Sequence, residues 1–324
     1  MIQVDFFPNQ AHCYAFGGFE YQMHDAVIAA RSQGIDVRLL DSWQRVQPAA
    51  IAHHWGLGFA HFDNIRWARR AGQKIVCTAL FDHYETFAAR LRNFAGSWLG
   101  ETRITRDCVR LIDALIVVND IQLEVAIRFF GASRSRVHVV PNIVDESFFK
   151  ATAFAHNQHY WICPGSICRR KRQVIAAKAA LEAGTRLLII GDPLPGEEDY
   201  GRELHNLLAG QSLVEWRRSM ARSDREYVKL MAESRGLLFP SVSEQQPIVI
   251  LEAMVLGKPV LLAEVPYARQ YEYRTAILLP ADNISAFACS LKEANLGIQI
   301  AARERYSITA VGLAYRSIYE KILL

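Results

Sequence analysis

Two glutamates in the C-terminal half of the chain could bind a ligand that carries several hydroxyl groups. Glu244 and Glu252 are separated by seven residues in the segment FPSVSEQQPIVILEAMVLGKPVL, residues 239–261. The segment predicts a strand, a loop that holds Glu244, and a helix that begins near Pro247, because a first helical turn tolerates the missing N–H of proline. A loop carboxylate can accept hydrogen bonds from sugar hydroxyls. Glu252, one to two turns into the helix, could bind a vicinal diol such as a ribose.

Backbone donors around the same helix start favour a phosphate or a sugar oxygen as ligand. The first N–H groups of a helix point out of its end and carry positive potential. Pro247 has no N–H, so other groups must donate. The candidate donors are the backbone of Gln246, Ile248 or Val249 and the side chains of Gln245 or Gln246.

A basic cluster in a second loop could bind an anion. The segment CPGSICRRKRQ, residues 163–173, joins a predicted strand to a predicted helix and contains Gly165, Arg169, Arg170 and Lys171. Such a cluster is ordinarily a solvated helix start, but positive charges there oppose the helix dipole, which favours an anionic ligand. Lys171 with Arg169 or Arg170 is therefore expected to bind an anion.

Residues after the N-terminal strands form a third group of candidates. Gly17-Gly18 follow the first predicted strand, where Gly18 would let the backbone approach a ligand closely. Glu20 is expected to start the next helix, where a carboxylate suits the dipole. His53-His54 end one predicted strand and His83 follows another, so both sites should open toward a ligand cleft.

The elements that must position these residues alternate between short apolar strands and helices. This rhythm predicts an α/β protein with parallel sheets covered on both faces. It is interrupted around residues 137–159, which predicts two Rossmann-like domains, 1–150 and 151–306, and a last helix in 307–324. Since ligands of such sheets bind beyond the carboxyl ends of the strands, the cleft between the domains is the expected site.

The quoted motifs resemble those of a known family. Glu244 and Glu252, followed by LEAM and GKPV, are similar to the E-x7-E region of the retaining GT-B glycosyltransferases of family four, the glycosyl transferases group 1. The segment VVPNIVDESFF, residues 139–149, resembles the family's interdomain segment V-I-P-N-G-V-D-x-x-x-F, with Ile143 at the usual glycine. The C-terminal helix resembles one that crosses back onto the N-terminal domain.

This resemblance implies a function and a set of site residues. It implies transfer of a sugar from a nucleoside diphosphate to an acceptor hydroxyl with retention, in cell-surface polysaccharide or glycoconjugate assembly. The implied catalytic residues are Glu244, Lys171 and His83. The implied donor-binding residues are Gly18, Gly165, Arg170, Lys171, Glu244, Gln246, Ile248, Val249 and Glu252. Ser166 and Arg172 depart from the family's G-R-L-x-x-x-K-G loop, where arginine and a second glycine are usual.

Two other functions remain open at the level of the sequence. A GT-B epimerase would isomerise a nucleotide sugar without an acceptor, and a non-catalytic protein would bind the nucleotide sugar without turnover. A phosphorylase of this fold would need a pyridoxal lysine and a much longer chain.

The composition of the chain indicates which kinds of binding partner are excluded. The 324 residues carry a net charge of only +4, which argues against a nucleic-acid partner. No DxD triplet is present, so no metal or other cofactor is expected.

The N-terminus and the apolar runs predict neither a signal peptide nor a membrane-spanning helix, hence a cytoplasmic protein. Arg90 to Trp98 combine basic and aromatic residues that could contact anionic lipid at the inner face of a membrane. The expected acceptor is a sugar, a lipid-linked molecule or another compound with a hydroxyl group.

Overall fold

The computed structural model describes residues 1–13, 17–81, 100–151, 160–293 and 303–324. The chain divides into two compact units. Unit 1 consists of Met1–Ile143 together with Glu304–Leu324, and unit 2 consists of Val144–Arg303. The domain limits expected from the sequence, after residues 150 and 306, fall a few residues further along the chain.

Each unit is built on a six-stranded parallel sheet. In unit 1 the strand order is β2-β1-β3-β4-β5-β6, and in unit 2 it is β12-β11-β10-β7-β8-β9. The strands of unit 1 are β1 (Gln3–Phe7), β2 (Asp36–Leu39), β3 (Ile51–Trp55), β4 (Lys74–Thr78), β5 (Ala114–Val117) and β6 (Val137–Val139). Those of unit 2 are β7 (Trp161–Pro164), β8 (Leu187–Ile190), β9 (Val214–Arg217), β10 (Gly236–Phe239), β11 (Val260–Ala263) and β12 (Ile277–Leu279). The two doubly wound sheets confirm the α/β fold class.

Helices connect the strands and cover the sheets. The α-helices of the described residues are α1 (Gly18–Ser32), α2 (Phe59–Arg70), α3 (Glu101–Leu111), α4 (Asp120–Phe130), α5 (Glu146–Lys150), α6 (Gln173–Ala183), α7 (Glu198–Leu208), α8 (Arg225–Glu233), α9 (Ile248–Val255), α10 (Ile284–Glu293) and α11 (Ile308–Leu323). Strands β8, β10 and β11 are buried along their whole length, because helices lie on both faces of a parallel sheet.

The C-terminal helix α11 belongs to unit 1, where it packs against α1. Gly312 permits this contact, because a Cβ there would lie 2.4 Å from the carbonyl oxygen of Ala29. The hydroxyl of Tyr319 lies 2.7 Å from Nδ1 of His53, whose Nε2 lies 2.8 Å from the hydroxyl of Thr78. Burial and hydrogen bonding of this kind fix α11 on the sheet.

The expectation that His53 and His54 open toward a ligand cleft is wrong. Both side chains are fully buried. His53 is enclosed by aromatic rings that include Tyr315, and the ring of Phe7 stacks on His54 at a centroid distance of 4.2 Å. Burial lowers the pKa of His53 well below its ordinary value, and that of His54 to about 3, so both are neutral core residues.

Candidate functional site

The topology of unit 2 brings two of the predicted loops together. Strands β7 and β10 are neighbours in the sheet although two strand–helix repeats separate them in sequence. Chain connections leave these two strands in opposite directions, and such a switch point opens a crevice at the carboxyl ends of the strands. The basic loop follows β7 and the Glu244 loop follows β10, so both reach this crevice.

Two cations and a hydroxyl converge on one carboxylate oxygen in this crevice. Oε1 of Glu244 lies 2.5 Å from Nη1 of Arg170 and 3.2 Å from Nζ of Lys171. The hydroxyl of Ser241 donates to the same oxygen at 3.0 Å. We call Arg170, Lys171, Ser241 and Glu244 the Glu244 cluster. One carboxylate balances only one of two cations, so the cluster carries a net positive charge in a partly dehydrated position.

Two glycines leave the space in which Lys171 lies close to the sheet. Gly165 has a φ of 132°, and a Cβ there would lie 3.2 Å from Nζ of Lys171. Gly191, at the end of β8, has a φ of 159°, and a Cβ there would lie 2.1 Å from the carbonyl oxygen of Gly165. The ammonium also lies 5.0 Å from the centre of the Phe239 ring, which favours a cation over its face. Only 15% of the Lys171 side chain is exposed.

The structure distinguishes the two arginines that precede Lys171. Arg170 reaches the Glu244 loop twice, since its Nη1 also donates to the carbonyl of Ser243 at 2.5 Å. Arg169 lies 3.5 Å from Glu203 of α7, and its side chain is mostly exposed. Arg170 therefore stands with Lys171, as the site prediction has it, and Arg169 faces another helix.

Arg172 has an unusual backbone conformation. Among the described residues other than glycine, it alone has a positive φ, 58°, at the N-cap of α6. The resembled family has glycine at this position, which adopts this region without strain. The guanidinium donates to the carbonyl of Ala281 at 2.7 Å and to Asp282 at 2.5 Å. These contacts help to hold a backbone that arginine rarely adopts.

Glu252 lies on α9 and is fully buried. Nε of Arg222 donates to Oε1 at 3.0 Å, and the hydroxyl of Tyr227 donates to Oε2 at 3.0 Å. Burial raises the pKa of Glu252, and Arg222 and Tyr227 act against that rise. The sequence indicated neither partner, because Arg222 lies in an irregular loop and Tyr227 reads as an ordinary core aromatic.

The N-terminus of α9 lies beside these two glutamates. Pro247 is its N-cap residue, and Ile248 and Val249 are its first residues, so their N–H groups have no acceptor within the helix. Gln246 is only 4% exposed. The loop before the helix is held by Gln270, whose Nε2 donates to the carbonyl of Gln245 at 2.5 Å.

Unit 1 has a pocket of its own at the carboxyl ends of its strands. Its volume is about 350 Å³. The polar side chains in its wall are those of Asn9, Glu101, Thr102 and Thr105, which follow β1 or lie on α3. Gly56 forms part of the floor, since a Cβ there would lie 2.4 Å from Oδ1 of Asn9. A pocket with four hydrogen-bonding side chains is suited to a polar ligand.

The other residues suggested by the sequence lie in the N-terminal half of the chain. Gly18 is the first residue of α1, is exposed, and has open space around the position of a Cβ. Glu20 accepts a hydrogen bond from the Gly17 N–H at 2.8 Å, as expected of a helix start. His83 and the stretch from Arg90 to Trp98 lie outside the described residues.

The residues that the structure describes contain neither a candidate metal site nor a membrane-spanning helix. No group of three or more His, Cys, Asp or Glu side chains there could hold a metal ion. None of the helices in those ranges is both long and apolar enough to cross a bilayer.

Sequence comparison points to one family for unit 2. Residues 160–294 match the family model described as glycosyl transferases group 1. This range includes the basic loop, the Glu244 loop and α9. It confirms the resemblance to the glycosyl transferases group 1 that the motifs in this part of the chain indicated. No curated protein sequence matches the chain.

Several solved structures share the fold over the whole chain. An Anabaena protein, HepE, in complex with UDP and glucose has 16% identity and a TM-score of 0.71, covering 99% of this chain and 100% of its own. Sucrose-phosphate synthase from Thermosynechococcus elongatus has 14% identity and a TM-score of 0.72, covering 100% and 99%. A glycosyltransferase from Rickettsia africae has 13% identity and a TM-score of 0.70, covering 99% and 98%. At these identities the likeness establishes the fold, which is GT-B.

Proposed function

We propose that this chain is a glycosyltransferase that moves a hexosyl group from a nucleoside-diphosphate sugar to an acceptor hydroxyl, with retention at the anomeric carbon. The observation that carries the proposal is the Glu244 cluster. Its net positive charge lies at the switch point of a doubly wound sheet, where such folds bind phosphorylated ligands. The family match over residues 160–294 supports the same assignment.

Each cluster residue has a role in this proposal. Lys171 and Arg170 bind the diphosphate, and Gly165 lets its oxygens approach the loop backbone. Glu244 accepts hydrogen bonds from hydroxyls of the transferred sugar, helped by N–H groups of Ile248 or Val249. Because Glu244 lies within hydrogen-bonding distance of both cations, sugar and diphosphate would be held side by side.

The reaction breaks the bond between the anomeric carbon and the diphosphate oxygen. The acceptor oxygen bonds to the same face of that carbon, and its proton passes to the departing diphosphate. Negative charge grows on the diphosphate as the bond breaks, so Lys171 and Arg170 bind the transition state more strongly than the ground state. The protein thereby contributes positioning and charge stabilisation.

The pocket of unit 1 is the proposed acceptor site. Asn9, Glu101 and the two threonines offer donors and acceptors for a hydroxylated molecule. Gly18 and His83 are proposed to contact the donor or the transferred sugar from this unit, as the resemblance implies. A cell-surface glycan or a lipid-linked sugar is the proposed acceptor, with Arg90 to Trp98 contacting the inner face of the membrane.

Donor binding and turnover test the proposal together. Thermal shift with UDP, GDP and ADP sugars identifies the donor, because a ligand that binds only the native state raises the melting temperature. UDP sugars come first, since HepE was solved with UDP. Product formation with an acceptor panel is followed by mass spectrometry, and the anomeric configuration by proton NMR. We expect stabilisation, transfer and retention.

Incubation with donor alone separates the other functions. An isomerised nucleotide sugar without acceptor would indicate an epimerase. Stabilisation without consumption across the whole panel would indicate a binding protein. No stabilisation and no consumption with any nucleotide sugar would contradict the proposal.

A further inference from the structure

Arg222 contacts a buried carboxylate, and the proposed donor site assigns no role to this contact. It lies in the loop between β9 and α8, and only 18% of its side chain is exposed. Its Nε donates to Oε1 of Glu252, which is fully buried. Tyr227, in the first turn of α8, donates to the other carboxylate oxygen. One donor therefore engages each oxygen of Glu252.

A buried carboxylate needs such partners to remain ionised. Dehydration favours the neutral acid, and Asp145, at the N-cap of α5, adds an unfavourable negative charge. Arg222 supplies the compensating positive charge, and Tyr227 supplies a hydrogen bond to the ionised form. The pKa of Glu252 is raised even with both partners present, so the loss of either would raise it further.

We propose that Arg222 is a positioning residue of the nucleotide site, which holds Glu252 ionised and oriented so that the ribose hydroxyls can bind to it. This inference rests on the proposed function and on the role that the sequence suggests for Glu252, which is to bind the ribose of the nucleotide sugar. A carboxylate has about four acceptor positions, and Arg222 and Tyr227 use one on each oxygen. In this proposal the two vicinal hydroxyls of the ribose take the remaining acceptor position on each oxygen.

The start of α8 fixes the geometry of this arrangement. Asp224 caps the helix by accepting a hydrogen bond from the N–H of Glu226 at 2.8 Å. The cap sets where the loop ends and the helix begins, so Arg222 and Tyr227 approach Glu252 from fixed directions. Without these two contacts, Glu252 could take up a proton or adopt another rotamer.

The test compares UDP with 2′,3′-dideoxy-UDP by isothermal titration calorimetry. The two probes differ only in the ribose hydroxyls, so the ratio of their dissociation constants reports the ribose contact. In the unsubstituted protein we expect UDP to bind at least about tenfold more tightly, as for hydrogen bonds to a charged group. In Arg222→Ala and in Glu252→Gln the ratio should fall to about threefold or less. Arg218→Ala, at an exposed arginine of the same loop, is the matched control and should keep the ratio.

The pH profile separates positioning from a merely structural role. In Arg222→Ala, Glu252 takes a proton more readily, so the ratio should recover as pH rises from 6 to 9. The stability of the variant should fall over the same range, because ionising a buried acid whose pKa is raised disfavours the folded state. Arg222→Lys keeps the positive charge, so its ratio of dissociation constants should not change with pH. If Arg222→Ala does not fold, Tyr227→Phe, which removes one hydroxyl, should show a smaller change of the same sign.

The outcomes distinguish the two proposals. If UDP binds but the ratio is the same in the unsubstituted protein, Arg222→Ala and Tyr227→Phe, this inference is overturned and the proposed function stands. A reduced ratio that does not change with pH would also overturn it, since Arg222 would then only hold the loop. If neither UDP, GDP nor ADP binds, both the proposed function and this inference fail.

Discussion

The strained backbone of Arg172 leads to a quantitative prediction. Its φ of 58° and ψ of 40° place it in the left-handed region, at the position where the resembled family has glycine. We predict that Arg172→Gly is more stable than Arg172→Ala by about 1 kcal/mol. The comparison isolates the backbone, because both substitutions remove the same side-chain contacts.

The magnitude follows from two opposing contributions. A residue with a Cβ loses about 1–2 kcal/mol in the left-handed region, and glycine does not. Glycine is more flexible in the unfolded chain, which costs about 0.5–1 kcal/mol. Both variants lose the bonds to Ala281 and Asp282, and since Asp282 is 86% exposed, that ion pair contributes little. Arg172→Ala should therefore be less stable than the unsubstituted protein by about 1–3 kcal/mol.

Urea unfolding followed by tryptophan fluorescence measures the difference. The transition midpoints of the two variants are compared at equal m-values. Gly184→Ala is the matched control, since Gly184 caps the other end of α6 with a φ of 63° and has open space around a Cβ. It should lose about the same 1 kcal/mol. If Arg172→Ala proved as stable as Arg172→Gly while Gly184→Ala lost stability, the strain assigned to Arg172 would be refuted.

Two further predictions concern packing and pH. Gly191→Ala should destabilise the protein by more than about 2 kcal/mol, because its Cβ would lie 2.1 Å from the Gly165 carbonyl, whereas Gly18→Ala, with open space, should not lower the melting temperature. Equal melting temperatures for the two variants would contradict this packing. Burial lowers the pKa of His54 to about 3 and that of His61 to about 4. The unfolded chain therefore binds more protons, and stability should fall as pH drops below about 6.5, by up to about 1.4 kcal/mol per pH unit for each histidine. Urea unfolding at pH 7, 6 and 5 measures how the free energy of unfolding changes with pH. His54→Phe should reduce this pH dependence. An unchanged dependence would contradict the assignment of His54 as a buried neutral histidine.

The sequence predicted most strands of the two parallel sheets, but not β9 and β12. Strands such as β8, β10 and β11 are short uninterrupted apolar runs, which report burial on both faces. Helices α3, α7 and α8 are among those that were not predicted, although the buried residues of each recur at helical spacing. Strand alternation carries the fold class even where such helices are missed.

The three charged members of the Glu244 cluster were predictable from the sequence, whereas Ser241 and the contacts within the cluster were not. Chain order places Lys171 and Glu244 after separate strands, and only the strand order makes those strands neighbours. Arg170 and Arg169 are equivalent in sequence, and the direction of each side chain depends on packing against the Glu244 loop or α7. Spacing therefore identifies candidates, and topology selects among them.

The partners of Glu252 and the burial of the histidines could not be predicted. Arg222 reaches Glu252 across 30 residues, with no local pattern that links them. His53-His54 end a strand, which suggested exposure at the sheet's edge. Helix α11, from the far end of the chain, supplies Tyr319 and covers His53. Contacts of such long range leave no trace in a single sequence.

The most direct test of the central claim is the turnover of Lys171→Ala compared with Arg169→Ala. Both variants remove one cation from the same loop, but only Lys171 belongs to the Glu244 cluster. With the identified nucleotide sugar and acceptor, kcat/KM of Lys171→Ala should fall about 100- to 1000-fold, the usual loss of a group that stabilises transition-state charge. Arg169→Ala should stay within about threefold, since its ion pair is exposed. If folded Lys171→Ala transferred sugar as fast as Arg169→Ala, the diphosphate site would not lie at the Glu244 cluster.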